Sequence, residues 1–392
     1  MGSVTINLSN GQLGAVLQTN DGITGLITTG TTEGAYTAGD AILITGLADF
    51  MGHGITITGN PFAYKQVKEF YDEAGVGSKL YLMLVPASMK VNQIADKTNA
   101  NGAEKLLLFA NGQIKVLGIL TDDNAVYLGG SPVVITNGLN ADVSTAVTNM
   151  AALALDRFQA QQPFRCIIGG TSYTGVATAL TDVTSGTSNN RTSVLIGDSV
   201  SGEAACIGLL LGRIAVIPVQ RKISRVRTGA LTNQSAYVGV LSATAIGANL
   251  SVIASKGYIT FITYPNISGY YFSGDDTCSS VDDDYHFLAR GRVIDKAHLL
   301  TYSTFVQEID DEVLVNTDGT LDAGFCKWLG RQIENQINNT MTANKEISNV
   351  ACYIDPMQNI ISTSQLNIVL KITPVGYASD IEIVLGFTNP LV

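Results

Sequence analysis

Charge is scarce in this sequence. Asp, Glu, Lys and Arg make up 14% of its 392 residues, against about 25% in an ordinary soluble chain. The balance is acidic, with a formal net charge of −10. That excludes a general nucleic-acid binder, because phosphate contacts need clustered Lys and Arg. The one basic cluster, Arg221, Lys222, Arg225 and Arg227, follows Pro218 in a short polar segment and reads as a solvated loop or a protein–protein contact. Cysteine is equally uninformative as chemistry. Cys166, Cys206, Cys278, Cys326 and Cys352 show no short spacing and an odd total, neither a zinc framework nor a disulfide scaffold. Cys166 and Cys206 sit in apolar runs and read as small buried hydrophobes. The opening MGSVTINLSN has no basic n-region and no apolar h-region, and no run of about 18 apolar, helix-forming residues occurs. Neither a secretory signal nor a membrane span is expected, and the expected compartment of synthesis is a reducing cytoplasm.

What is abundant is apolar surface and glycine: 46% of residues are hydrophobic and 40 are Gly. At roughly 150 residues per domain the length suggests two or three domains. A soluble chain with so little charge either covers much of its surface with neighbours, as an oligomer or polymer, or is a large, well-packed enzyme.

Along the chain, Val4, Ile6 and Leu8 alternate with Thr5, Asn7 and Ser9, the period of a half-buried strand. Too little chain precedes it for a hairpin, so its partners must come from distant sequence or another molecule. From about residue 60 to 265 helix and strand patterns alternate. Helices are expected over 62–72, up to 108, 142–160, before 193, 202–211 and 243–255, with strands over 80–85, 114–120, 164–168, 193–196, 214–217 and 258–264. The helix over 142–160 carries the stripe Val143, Val147, Met150, Ala151, Ala154 and Phe158. Such alternation predicts an α/β layer fold with a mainly parallel sheet. The remainder differs. The turn-rich segment GYYFSGDDTCSS (269–280) precedes a long helix to about Glu308, capped by Asp282–Asp284. A second helix over 322–341 buries Phe325, Trp328, Leu329, Ile333 and Ile337. Two alternating strands follow, Leu366, Ile368, Leu370 and Ile372 in the first, and Ile381, Ile383, Leu385 and Phe387 in the second. The expected organisation is an extended arm over 1–30, an α/β body over 31–240, and a C-terminal α+β domain over 241–392.

Legible enzyme chemistry is missing. The histidines are His53, His286 and His298. His286 beside Asp282, Asp283 and Asp284 reads as an acid–base or metal cluster, or simply as a capped helix start. Gly197-Asp-Ser-Val-Ser-Gly202 opens a helix after a strand, where backbone N–H groups cradle anions. It lacks the Lys and Ser/Thr of a phosphate loop and the pattern of a nucleophile elbow. Asp275-Asp276 and Asp310-Asp311 show no EF-hand spacing. No catalytic, cofactor or metal residue is assigned.

The stretch YYFSGDDTCSSVDDDYHFLARGRVIDKAHLLTY resembles contractile tail sheath proteins. Gly274-Asp275 follows an aromatic turn, Asp284-Tyr285 comes next, and Gly291-Arg292-Val293-Ile294-Asp295-Lys296-Ala297 lies on the helix. Residues 240–392 carry most of the resemblance, including Thr373-Pro374-Val375-Gly376 before a final strand, and VTINLSNGQLGAVLQTNDGITGLITTG is similar to a sheath N-terminal arm. The resemblance implies a virion or tail-like particle component made in bacterial cytoplasm. It implies a homo-oligomer of stacked rings around an inner tail tube, ending on baseplate and tail terminator proteins, with no cofactor, nucleic acid or membrane insertion. Its arms, Val4, Ile6 and Leu8 at one end and Ile381, Ile383, Leu385 and Phe387 at the other, would add strands to sheets of neighbours, relieving exposed strand edges. Contraction would release free energy as bodies make larger contacts, without nucleotide. Lys327, Arg331 and Glu334, at i, i+4 and i+7 opposite the apolar stripe, are either tube-facing or a solvated face. Asp295 and Lys296 read as structural. The competing readings are an α/β enzyme or small-molecule-binding protein with a pocket near Asp198 and Ser199 or His286, and another particle part such as a baseplate or tube protein.

Overall fold

Strands that show no polar face must be covered on both sides, which a parallel sheet between helices provides. The computed structural model describes residues 20–123, 133–185, 188–202, 204–313, 315–379 and 381–383. In it, β1 (Thr24–Thr29), β3 (Leu80–Val85), β4 (Val116–Ile119), β5 (Arg165–Gly169) and β6 (Thr192–Leu195) run parallel, and β2 (Ala41–Ile44) joins antiparallel at one edge. The sheet order is β2-β3-β1-β4-β5-β6. This is the expected mainly parallel α/β body. Its central strand comes from residues 24–29, fully buried, so that part of the segment read as an arm belongs to the body. Val4, Ile6 and Leu8 lie outside the described residues.

Helices cover the sheet: α1 (Pro61–Ala74), α2 (Ala103–Ala110), α3 (Ala141–Gln159) and α4 (Ile207–Val216). In α3 the buried face is Val143, Ala146, Met150, Leu153 and Ala154, a slightly rotated version of the expected stripe. The expected helix over 202–211 and strand over 214–217 are one helix, α4, of sequence IGLLLGRIAV with nine buried residues. A run that is apolar but for Arg213, which is buried against Glu73, has no period to distinguish the two states, and its ten-residue length favours the helix. The helix expected before residue 193 is, among the described residues, only a 3₁₀ turn at Ala177–Ala179, in a stretch whose Thr and Ser bond locally instead. The one expected over 243–255 breaks at Gly247, at φ 54°, leaving Ala243–Ile246 and α5 (Asn249–Ser255). The aromatic segment expected as a turn is a strand: β7 (Phe261–Tyr264) and β8 (Ile267–Phe272) pair antiparallel.

The long helix is α6 (Leu288–Phe305). Its first turn is not capped by Asp282–Asp284. Asp275 does this from a distance, its carboxylate accepting from Ala289 N at 3.2 Å and its carbonyl from Leu288 N at 2.7 Å. Burial pushes the Asp275 carboxyl up to about 6 although the Lys222 ammonium lies 3.5 Å away. Asp283 accepts from Tyr285 N and Asn190 Nδ2.

The chain divides into two compact units, residues 1–303 and 304–392. The second contains α7 (Ala323–Ile337), extended by a π-helical turn at Asn338–Thr342, and an antiparallel pair, β9 (Ile347–Ile354) and β10 (Ile368–Pro374). Asp322 caps α7 by accepting from Phe325 N at 2.8 Å. Cys326, Leu329, Gly330, Ile333 and Ile337 are its buried face, whereas Trp328, expected inside, is 51% exposed. β10 pairs with β9, and most of the expected strand over 381–388 lies outside the described residues. Ile381 and Ile383 belong to no strand and are 75% and 76% exposed. Leu385 and Phe387 lie outside the described residues.

Candidate assembly surface

The segment Gly291–Lys296 of α6 is a clasp. Asp295 accepts a bidentate pair from Arg165, at 2.7 Å from Nε and 3.2 Å from Nη2, and Arg191 Nη1 approaches at 3.1 Å. Arg165 sits at the head of β5, and its guanidinium also donates to the Asn190 carbonyl at 2.7 Å and the Gly291 carbonyl at 2.9 Å. A side chain at Gly291 would put its Cβ 2.4 Å from the Arg165 guanidinium carbon, so the close approach requires glycine. Arg292 donates to the Ile217 carbonyl at 3.2 Å, just past the end of α4, and Lys296 pairs with Asp21 at 2.7 Å. Burial, reinforced by neighbouring Arg165, holds the Arg191 pKa below the usual guanidinium range. The sequence placed Asp295 and Lys296 in structural roles but left their partners open, since Asp21, Arg165 and Arg191 lie far away along the chain.

His286 joins neither a metal nor an acid–base cluster with Asp282–Asp284. Its Nε2 lies 3.0 Å from Asp276, its Nδ1 lies 3.1 Å from the Ser279 carbonyl, and the Asp276 contact holds its pKa above the usual imidazole value. Among the described residues no three His, Cys, Asp or Glu side chains converge as metal ligands would. Beside the carboxyl ends of β4, β5 and β6 lies an open cavity of about 760 Å³ lined in part by Lys65, Asp123, Ser172 and Asp198. Its polar groups are largely committed to one another: Asp198 pairs with Lys65, and Asp123 accepts from Ser172 Oγ at 2.7 Å and Asn140 Nδ2 at 3.0 Å. Ser199 donates to Glu69.

In the second unit, Lys327, Arg331 and Glu334 come together along one groove. This groove, of about 310 Å³, runs between α7 and β9, with Cys352, Tyr353, Ile354 and Pro356 on its strand side. Lys327 and Arg331 are exposed. Glu334 is half-buried, and its Oε1 accepts from Cys352 N at 2.7 Å, so it does not project freely with the other two. A β9 N–H that bonds a helix side chain points away from β10, which identifies this side as the open edge of β9. Among the described residues the sheet has no third strand. Its inward pairs are Val350 with Ile372, Cys352 with Leu370 and Ile354 with Ile368. Val350 and Ile354 are buried, but Ile368, Leu370 and Ile372 are only half-covered. The cover thus runs out before the apolar face does. Sequence reasoning missed β9 and with it this edge.

Among the described residues the chain holds a doubly covered α/β body and a separate two-stranded sheet, and its fold is that of contractile sheath proteins. The chain is similar to the helical sheath of the anti-feeding prophage in its contracted state (13% identity, 98% of each chain, TM-score 0.62). It is likewise similar to the contracted sheath of the PVC extracellular contractile injection system (13% identity, 100% of this chain and 98% of that one, TM-score 0.61). The sheath tail protein of Desulfitobacterium hafniense shares the fold at 12% identity, over 95% of this chain and all of that one, with a TM-score of 0.51. No curated protein matches by sequence. Residues 1–276 match the N-terminal domain of DUF2586 and residues 284–392 its C-terminal domain. The chain belongs to the DUF2586 family.

Proposed function

We propose that this chain is the structural subunit of a contractile sheath, which polymerises into a helical tube around an inner tail tube and contracts to drive that tube through a target envelope. The observation that carries the reading is the sheath fold over essentially the full length of both chains. The half-covered β9–β10 sheet and the low charge of the chain support it, since both leave surface for neighbours.

Each subunit's terminal segments, with Val4, Ile6 and Leu8 at one end and Ile381, Ile383, Leu385 and Phe387 at the other, add strands to the sheets of adjacent copies. A backbone hydrogen bond contributes only about 0.5–1.5 kcal/mol net, but repetition around every ring makes a mesh that holds while bodies swing as rigid units. The extended sheath is metastable, and contraction gains contact area between bodies without nucleotide. The work is mechanical, and the chain needs no catalytic residue for it. The tube ends on baseplate and tail terminator proteins, and assembly takes place in the bacterial cytoplasm. Negative-stain microscopy of the expressed chain is expected to show wide hollow tubes. Removing residues 1–19 or 380–392 should leave discrete subunits with unchanged circular dichroism. Discrete particles from the intact chain under all conditions would overturn the reading.

Contact with the inner tube is polar and releasable, and Lys327 and Arg331 are its exposed cations. Charge reversal, Lys327→Glu with Arg331→Glu, is expected to abolish co-assembly on preformed inner tubes while the subunit keeps its melting temperature. Like-charge juxtaposition at such a contact costs several kcal/mol. Because the same two cations line the α7–β9 groove, loss of co-assembly counts for the tube face only if the altered chain still forms tubes by itself, and unimpaired co-assembly would remove these residues from that face.

A further inference from the structure

An open strand edge is an aggregation hazard unless something blunts it. In a sheath subunit the hazard is sharper, because the edge must accept a strand inside the lattice and refuse one elsewhere. The α7–β9 groove holds a device suited to this. The Glu334 carboxylate accepts from the backbone N–H of Cys352, in the C-terminal half of β9, at 2.7 Å. This is one of the outward N–H groups that an incoming strand needs. Carboxylate acceptors bind N–H groups about twice as strongly as neutral carbonyls do, so the occupied edge is a poor template.

We infer that Glu334 is a latch on the strand-receiving edge of β9, and that strand addition from a second copy proceeds by displacing it. The inference rests on the sheath reading and adds to it which edge is guarded and by which group. Release has a destination. Arg331 lies one turn before Glu334 on the same helix face and lines the same groove, and residues three apart on a helix are within reach of an ion pair. The carboxylate therefore exchanges a backbone N–H for a guanidinium instead of being left unpaired. The latch thus weakens addition as well as slowing it, by the difference between the bond it gives up and the one it gains.

Charge selects the occupant. With Arg331 taken by the released Glu334, the groove still presents Lys327, and of the two terminal segments only the C-terminal one, Asp380-Ile381-Glu382-Ile383, brings carboxylates among alternating apolar residues. Val4-Thr5-Ile6-Asn7-Leu8 brings none. The strand that displaces Glu334 is the 380–388 segment of a second copy.

A fluorescent peptide of residues 379–390 tests this on the full chain, with a scrambled peptide as control. Glu334→Ala is expected to bind the peptide about tenfold more tightly than the unaltered chain and to shorten the lag of tube formation followed by light scattering. Glu334→Gln, which keeps the side-chain shape and a neutral acceptor, should fall between. Lys327→Glu with Arg331→Glu should weaken peptide binding. Equal or weaker binding by Glu334→Ala and Glu334→Gln, with melting temperatures unchanged, would overturn the latch. So would indifference between the true and scrambled peptides. If the intact chain forms no tubes but the peptide follows the expected order, the sheath reading fails and the latch stands.

Discussion

Replacing Asp295 with alanine is expected to destabilise the first unit by about 3–5 kcal/mol, because it strips the carboxylate that lies between the buried guanidinium of Arg165 and the largely buried one of Arg191. Arg165 is 1% exposed and Arg191 16%. Arg165 has no room to reach water and Arg191 little, and the two would then face each other uncompensated. Asp295→Asn keeps the acceptor oxygen and the shape but not the charge, so its loss should be smaller. Arg165→Ala should cost less than Asp295→Ala, since Asp295 keeps Arg191 as partner while the Gly291 and Asn190 carbonyls lose their donor. Urea denaturation midpoints read all three. If Asp295→Ala left the midpoint within experimental error of the unaltered chain, the clasp would be decoration. Because the clasp ties α6 to β5 and, through Arg292 and Lys296, to the end of α4 and the turn at Asp21, its loss should also loosen these elements. Faster amide exchange along α6 is the expected sign.

The second large effect concerns Gly208. Helices α1 and α4 meet closely enough that a Cβ at position 208 would lie 1.9 Å from the Gln66 carbonyl oxygen, and one at Gly212 would lie 2.7 Å from that of Phe70. The obstructing atoms are backbone, so the helices must separate. The buried Gln66 amide also bridges the junction, donating to the Ala205 carbonyl at 2.9 Å and accepting from Gly208 N at 2.8 Å. Separation breaks both bonds in a site with no water to replace them. Gly208→Ala is expected to cost about 3 kcal/mol or more, at the upper end of overpacking effects, and Gly212→Ala less. Gly52→Ala meets nothing within 4 Å and should be neutral or slightly stabilising, which makes it the control. A Gly208→Ala chain as stable as the Gly52→Ala chain would show that the helices part freely.

Strands β3, β4 and β5 were legible because short apolar runs bounded by polar or glycine residues leave few alternatives, and α1, α3, α6 and α7 because their stripes have the helical period. Where period failed, so did the reading. In α4, apolar but for Arg213, no period separates helix from strand. β9, ISNVACYI, was invisible because Ser348 and Asn349 and a register shift between Ile347 and Asn349 break its alternation. The aromatic 267–272 segment hid a strand behind turn-forming glycine. Trp328 reads as buried by its character, but the buried face of α7 is Cys326, Leu329, Gly330, Ile333 and Ile337, and position 328 falls outside it.

The amino-acid sequence by itself determined the layer architecture, the acidic and weakly charged surface, and the alternating terminal segments, since these follow from composition and period alone. Only the tertiary structure decided which strand lies at the centre of the sheet, which cations hold Asp295, and where the open edge of β9 runs. Those depend on residues dozens to more than a hundred positions apart, or on a single backbone N–H turned towards Glu334, and pairings of that kind leave no trace in local pattern.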